Sequence, residues 1–165
     1  MFQLKPLSRD AIARSLERAH QYRVLNEPVE AESICLDVLC IDPQNHEAMI
    51  TLLLARTDQF GSGVTDAQAR ELLPQLAHDY ERAYYAGIIC ERRAKAYLSQ
   101  NGLQAGAAVY EWFREAMQLF ERAEVLRPAG NDDAVLRWNA CVRALRRHSH
   151  LRPAPDEERH PIMSE

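Results

Sequence analysis

Ala116-Met117-Gln118-Leu119-Phe120-Glu121-Arg122-Ala123-Glu124-Val125-Leu126-Arg127-Pro128 decides how this chain folds, because Ala31-Glu32-Ser33-Ile34-Cys35-Leu36-Asp37-Val38-Leu39-Cys40-Ile41-Asp42-Pro43 has the same plan. Ala116, Phe120, Ala123 and Pro128 follow one another at spacings of four, three and five, and so do Ala31, Cys35, Val38 and Pro43. Spacings of four and three bring side chains onto one face of a helix, and the small residues on that face let a second helix come close. Proline then stops the helix, having no N–H to continue it. Each segment leads through a short turn into a new helix start, Asn45-His46-Glu47-Ala48 in one case and Asn131-Asp132-Asp133-Ala134 in the other.

Outward from these segments the chain reads as helix after helix. Ser8 is placed to cap a first helix with an apolar face of Ile12, Leu16, Ala19, Tyr22 and Leu25. Asn26-Glu27-Pro28 interrupts it, and Pro28 suits the first turn of a second helix. Asn45 caps a third, apolar on nearly every side through Met49, Ile50 and Leu52–Leu54, which belongs in the middle of a stack. Thr65-Asp66-Ala67-Gln68 is a capping box for a fourth helix, and Pro74 predicts its kink or early end. A long fifth helix from Asp79 carries a small-residue stripe, Ala83, Gly87, Cys90 and Ala94, and stops at Asn101-Gly102. A sixth runs from about Gln104 to Leu126. A seventh, capped by Asn131, has Asp132 and Asp133 at its positive end and Arg143, Arg146 and Arg147 at its negative end.

Composition agrees. The chain has 165 residues with 23 Ala and 19 Leu against 8 Val, 7 Ile and 3 Thr, a bias to helix formers. Its 47% hydrophobic content excludes a wholly disordered chain. A net charge of −4 argues against bulk nucleic-acid binding, although arginine outnumbers lysine 18 to 2. No apolar run has the length of a membrane span, and the first ten residues lack a signal-peptide pattern, so a cytoplasmic protein is expected. The four cysteines lie in apolar segments with no CxxC pair and read as buried, reduced thiols.

The paired segments resemble helix B of the tetratricopeptide repeat (TPR), a helix–turn–helix unit of about 34 residues. Ala19 and Tyr22 match the small and aromatic positions of helix A in the first repeat, and Gly87 takes the small position in the third. The middle unit, His46 to His78, matches least, with Thr65 and Ala77 where the family prefers Ala and Pro. The third unit is longer than the family's because of an insertion around Gln100–Ala105. The resemblance implies an all-α, right-handed α-solenoid of about three TPR-like helix pairs plus a C-terminal capping helix. It covers residues 9–148, between an N-terminal extension (1–8) and a flexible C-terminal tail (149–165).

The family's groove-facing positions fall on His20 and Arg23 of the first helix and on Glu47, Ile50 and Leu54 of the third. They fall on Tyr84, Ile88, Glu91 and Arg92 of the fifth, and on Val135, Asn139 and Arg143 of the seventh. The resemblance thus implies a non-catalytic adaptor that holds a peptide or helix of an unidentified partner protein in a concave groove. The Lys and Asn that clamp-type modules use to grip a chaperone's C-terminal carboxylate are absent: Leu16, His20, Thr51, Glu81 and Tyr85 stand there. A small three-repeat secretion chaperone is the alternative binding protein, and a helical-bundle metalloenzyme the alternative from another class.

Catalytic and cofactor chemistry finds little support. Glu17–His20 and Glu157–His160 have the ExxH spacing of di-metal bundles, but no matched glutamates accompany them. No phosphate loop, GxSxG elbow or HExxH occurs, Cys90 beside Arg92 and Arg93 lies on the packing stripe, and Trp112 and Trp138 read as core or cap residues. No cofactor or metal is expected. Six acids and no Lys or Arg lie between Arg23 and Arg56, whereas five arginines and no acid lie between Asp133 and Asp156. Oppositely charged ends imply weak self-association.

Overall fold

A computed structural model describes residues 2–154. The described residues are all-helical: α1 (Ile12–Val24), α2 (Pro28–Ile41), α3 (His46–Asp58), α4 (Asp66–Arg70), α5 (Asp79–Asn101), α6 (Gly106–Leu126) and α7 (Asp133–Arg147). Short 3-10 turns span Arg9–Ala11, Leu73–Gln75 and Gly102–Ala105. No described helix is long and apolar enough to cross a membrane.

Most boundaries follow local chemistry. Asn45 accepts the Ala48 N–H at 2.9 Å and opens α3. Thr65 and Gln68 form the reciprocal capping box of α4. Pro28 occupies the first turn of α2. α1 ends with Asn26 at φ 60°, the Glu27 N–H reaching the Tyr22 carbonyl and the Asn26 N–H that of Arg23, a Schellman closure. Pro74 ends the fourth segment early, so α4 stops at Arg70 and a 3-10 turn follows. Gly102, at φ 50°, closes α5.

Three local expectations change. Ser8 makes no side-chain cap: a 3-10 turn over Arg9–Ala11 intervenes, and only the Ser8 carbonyl accepts a bond, from Ala11 at 3.1 Å. Asn131 stands one residue outside the cap of α7, and its side chain takes the Asp133 N–H at 3.0 Å together with the Tyr80 hydroxyl at 3.3 Å. The packed chain also runs beyond residue 148, because Leu151 is buried among α5, α6 and α7, the apolar side chain finding cover there. Pro155–Glu165, the rest of the expected tail, lies outside the described residues.

Consecutive helices pack together, and α1 also touches α3, as α3 touches α5. One core cluster gathers Ile88, Val109, Phe113, Phe120 and Cys141 from α5, α6 and α7. A second gathers Cys35, Met49, Leu52, Leu53 and Leu76 around Ile89. Adjacent isoleucines of α5 thus serve two cores, and α5 is covered all round from Ala86 to Glu91. Ala31, Ala69, Ala116 and Ala123 are fully buried contact points. At Gly87 α6 leaves no room for a side chain: a Cβ there would lie 2.6 Å from Cε1 of Phe120.

Gly87→Ala therefore sets overpacking of about 1–3 kcal/mol against a helix-propensity gain of about 0.5–1 kcal/mol. A net loss of stability is expected, read as a lower midpoint in urea, and Phe120→Leu in the same chain should recover part of it. A Gly87→Ala midpoint at or above that of the parent would contradict this packing.

Candidate partner-binding face

Alternate helices lie side by side, and their charged residues meet across the seams. His20 of α1 contacts Glu47 of α3 at 3.0 Å, and Arg23 Nε donates to Asp58 Oδ2 at 2.7 Å. The same Asp58 also accepts from Arg92 of α5, whose guanidinium donates as well to the Thr57 hydroxyl at 2.7 Å and the Leu54 carbonyl at 3.3 Å. Near the helix starts His46 meets Glu81 at 2.8 Å. Start meets start and Asp58 meets Arg92 further along, so α3 and α5 run parallel. Desolvation pulls the Arg92 guanidinium below its usual value and Arg23 and Arg137 add to this, while Asp58 and Glu91 oppose them.

On the next seam Glu91 of α5 is completely buried. Its Oε1 faces Lys95, one turn on, and Arg137 of α7 at 3.6 Å, while Oε2 has no hydrogen-bond partner among the described residues. A buried carboxylate with two cations beside it tolerates its desolvation only while both stay in place. Through Glu91, Arg137 ties α7 to α5.

The groove positions expected from sequence divide accordingly. His20, Arg23, Glu47 and Arg92 take part in the cross-helix pairs, so their charges are largely met within the chain. Ile50 and Leu54 are half-buried beside them. Tyr84 is half-buried in an aromatic cluster, stacked on Tyr80 at 5.7 Å and 5.9 Å from Phe120. Ile88 and Glu91 are corrections: core and ion pair enclose both, and neither is open to a partner. Val135 and Asn139 are half-buried and Arg143 is exposed. The inward stripe of α7 is Ala134, Arg137 and Cys141, and the helical turn of about 100° per residue carries the expected three off it.

Arg137, Asp58 and Thr57 were missed. A detectable signal was a lone cation, Arg137, in the apolar stripe of α7, matching a lone acid, Glu91, in the apolar run of α5.

The other motifs are absorbed by packing. Arg70 lies 3.0 Å from the Cys90 sulfur, yet burial pushes that thiol up to about 11 against the pull of Arg70. Burial raises Cys35 and Cys141 to about 12. Cys40 departs from the expectation, being exposed on α2. Trp112 carries Arg93 4.0 Å above its ring, and Trp138 donates to Glu121 at 3.1 Å. His20 of the first ExxH is engaged with Glu47, and the second ExxH lies outside the described residues. Among the described residues no three His, Cys, Asp or Glu side chains gather as a metal site would need.

No protein-family model, curated protein or solved structure matches the chain.

Two outcomes check this geometry. Glu91→Ala should lower unfolding free energy by about 1–3 kcal/mol, since the two part-exposed cations rehydrate and the cost is mainly a cavity and a lost tie. Hydrogen exchange should rise first in α7, and unchanged α7 protection would remove the anchoring role. Thiol titration of the native protein near pH 8 should find one fast cysteine, Cys40, and three more after unfolding, because the thiolate is the reactive form.

Proposed function

We propose that this protein is a non-catalytic TPR-like adaptor: a short right-handed α-solenoid, capped by α7, whose odd-numbered helices hold a segment of another protein. The observation that carries the reading is the ordered series of contacts His20–Glu47, Asp58–Arg92 and Glu91–Arg137, which joins α1 to α3, α3 to α5 and α5 to α7. A solenoid of helix pairs requires alternate helices to be neighbours in this way. The small contact residues Ala31, Gly87, Ala116 and Ala123 support the same reading from the packing side.

The same contacts define the partner's chemistry. Arg23, Arg92, Lys95 and Arg137 are four cations set against the four carboxylates of Glu47, Asp58, Glu81 and Glu91. The apolar surface beside them comes from Ile50, Leu54 and Tyr84. With the charges met within the chain, what the lining offers a partner is apolar contact, and a segment with spaced apolar anchors fits it. We place the protein in the cytoplasm, where its free thiols stay reduced.

A displayed library of short peptides tests the reading. Selected sequences should carry spaced apolar residues, and their binding should shift the amide resonances of Ile50, Leu54 and Tyr84. Tyr84→Ala should weaken binding about tenfold, or ~1.4 kcal/mol, whereas Arg143→Ala should leave it unchanged. Resonance shifts confined to other surfaces would overturn the assignment.

A further inference from the structure

Leu98 of α5, Leu103 of the turn that follows it, Phe113 of α6 and Ala144 of α7 form the apolar part of an open groove of about 520 Å³. Small-molecule sites occupy about 300–1,000 Å³ and are mostly apolar, with a few polar groups that fix orientation. Leu103 is 82% exposed, a large apolar side chain left in water beside the groove. The polar lining includes Lys95, Arg147, His148 and His150. Ile50, Leu54 and Tyr84 take no part in it, so this site and the adaptor face stand or fall separately.

The charge around the groove has one sign. No Asp or Glu lies between Glu91 and Glu111, or between Asp133 and Asp156, the stretches that supply every lining residue except Phe113. Glu111 and Glu115 flank Phe113 on α6, but Glu111 pairs with Arg114 at 3.5 Å and Glu115 with Arg70 at 3.3 Å. Glu91 is shared by Lys95 and Arg137, so that trio keeps one positive charge. Arg147 adds a second. The C-terminal ends of α5 and α7 also lie here, each carrying about half a negative charge. The Gly102 N–H takes the Leu98 carbonyl and the His148 N–H that of Ala144, which meets part of it. His148 and His150 lie edge-on with ring centres 5.7 Å apart, and the Nε2 atom of His150 is buried with no hydrogen-bond partner among the described residues. A buried polar atom left unpaired is costly, and a ligand atom that bonds to it removes the cost.

We propose that this groove binds a small amphipathic carboxylate, with its carbon chain on Leu98, Leu103, Phe113 and Ala144 and its head group at Arg147 and His150. Asp156, Glu157 and Glu158 lie outside the described residues and are the chain's own rival source of carboxylate.

Titration of the full chain with sodium octanoate, followed through amide resonances, tests the site. Leu98, Leu103 and Ala144 should shift saturably, and acetate should shift none of them. 1-Octanol has the same chain without the charge and should bind about tenfold more weakly. Arg147→Glu and Leu103→Asp, both at exposed positions, should each weaken octanoate about tenfold and leave the urea midpoint in place. Octanoate that gives no saturable shift overturns the proposal, and so does 1-octanol that binds as tightly. Octanoate binding that appears only after residues 155–165 are removed assigns the groove to the chain's own acids and overturns it too. Groove resonances that move with protein concentration alone assign it to a second copy, with the same result. Shifts confined to Ile50, Leu54 and Tyr84 overturn this site and leave the adaptor reading intact.

Discussion

Gly87 has no side chain where α5 crosses α6, and the ring of Phe120 occupies the space a Cβ would need. The α5–α6 pair has the most extensive interface in the molecule, and its spacing is set at this point. Because α6 comes so close on one side, the opposite side of α5 is free to receive α3 and the second core through Ile89. Ile88 serves the first core, with α6 and α7. One helix therefore carries the load of two clusters, and small residues at Ala31, Ala116 and Ala123 repeat the same solution wherever helices cross.

Contact between alternate helices has an electrostatic consequence. Where α1 meets α3 and α3 meets α5, their charged residues face one another, and Asp58 serves Arg23 on one side and Arg92 on the other. Partly exposed pairs of this kind contribute little stability each, up to about 1 kcal/mol. Their larger effect is to hold the facing side chains of α1, α3 and α5 in one arrangement; under the proposed function this lowers the ordering cost of binding a segment there. Glu91 is different in kind, since a fully buried carboxylate is costly to desolvate and constrains the placement of α7.

Helix existence and most helix ends were legible from local rules. Asn45, the Thr65–Gln68 box, Pro28, Pro74 and Gly102 all act through bonds or backbone limits that lie within a few residues. Ser8 shows where such rules stop, because a tighter turn satisfied the backbone before the side chain was needed. The lining of the face was only partly legible. His20, Arg23, Glu47 and Arg92 meet partners across the helix seams, but Ile88 and Glu91 are covered, and Val135, Asn139 and Arg143 lie off the buried stripe of α7. A family's register carries over to a helix only while the turn before it has the family's length and angle. The Gly102–Ala105 turn and the long helices α5 and α6 precede α7.

What the amino-acid sequence determined alone is the series of helices, their caps and the small residues where they cross, because each depends on neighbours along the chain. What only the tertiary structure decided is which charges meet: Asp58 between Arg23 and Arg92, and Glu91 against Arg137. Those partners are far apart in sequence, and their meeting depends on crossing angle and helix rotation. An error of one residue in the placement of a helix turns its face by about 100°, so packing alone selects the pairs.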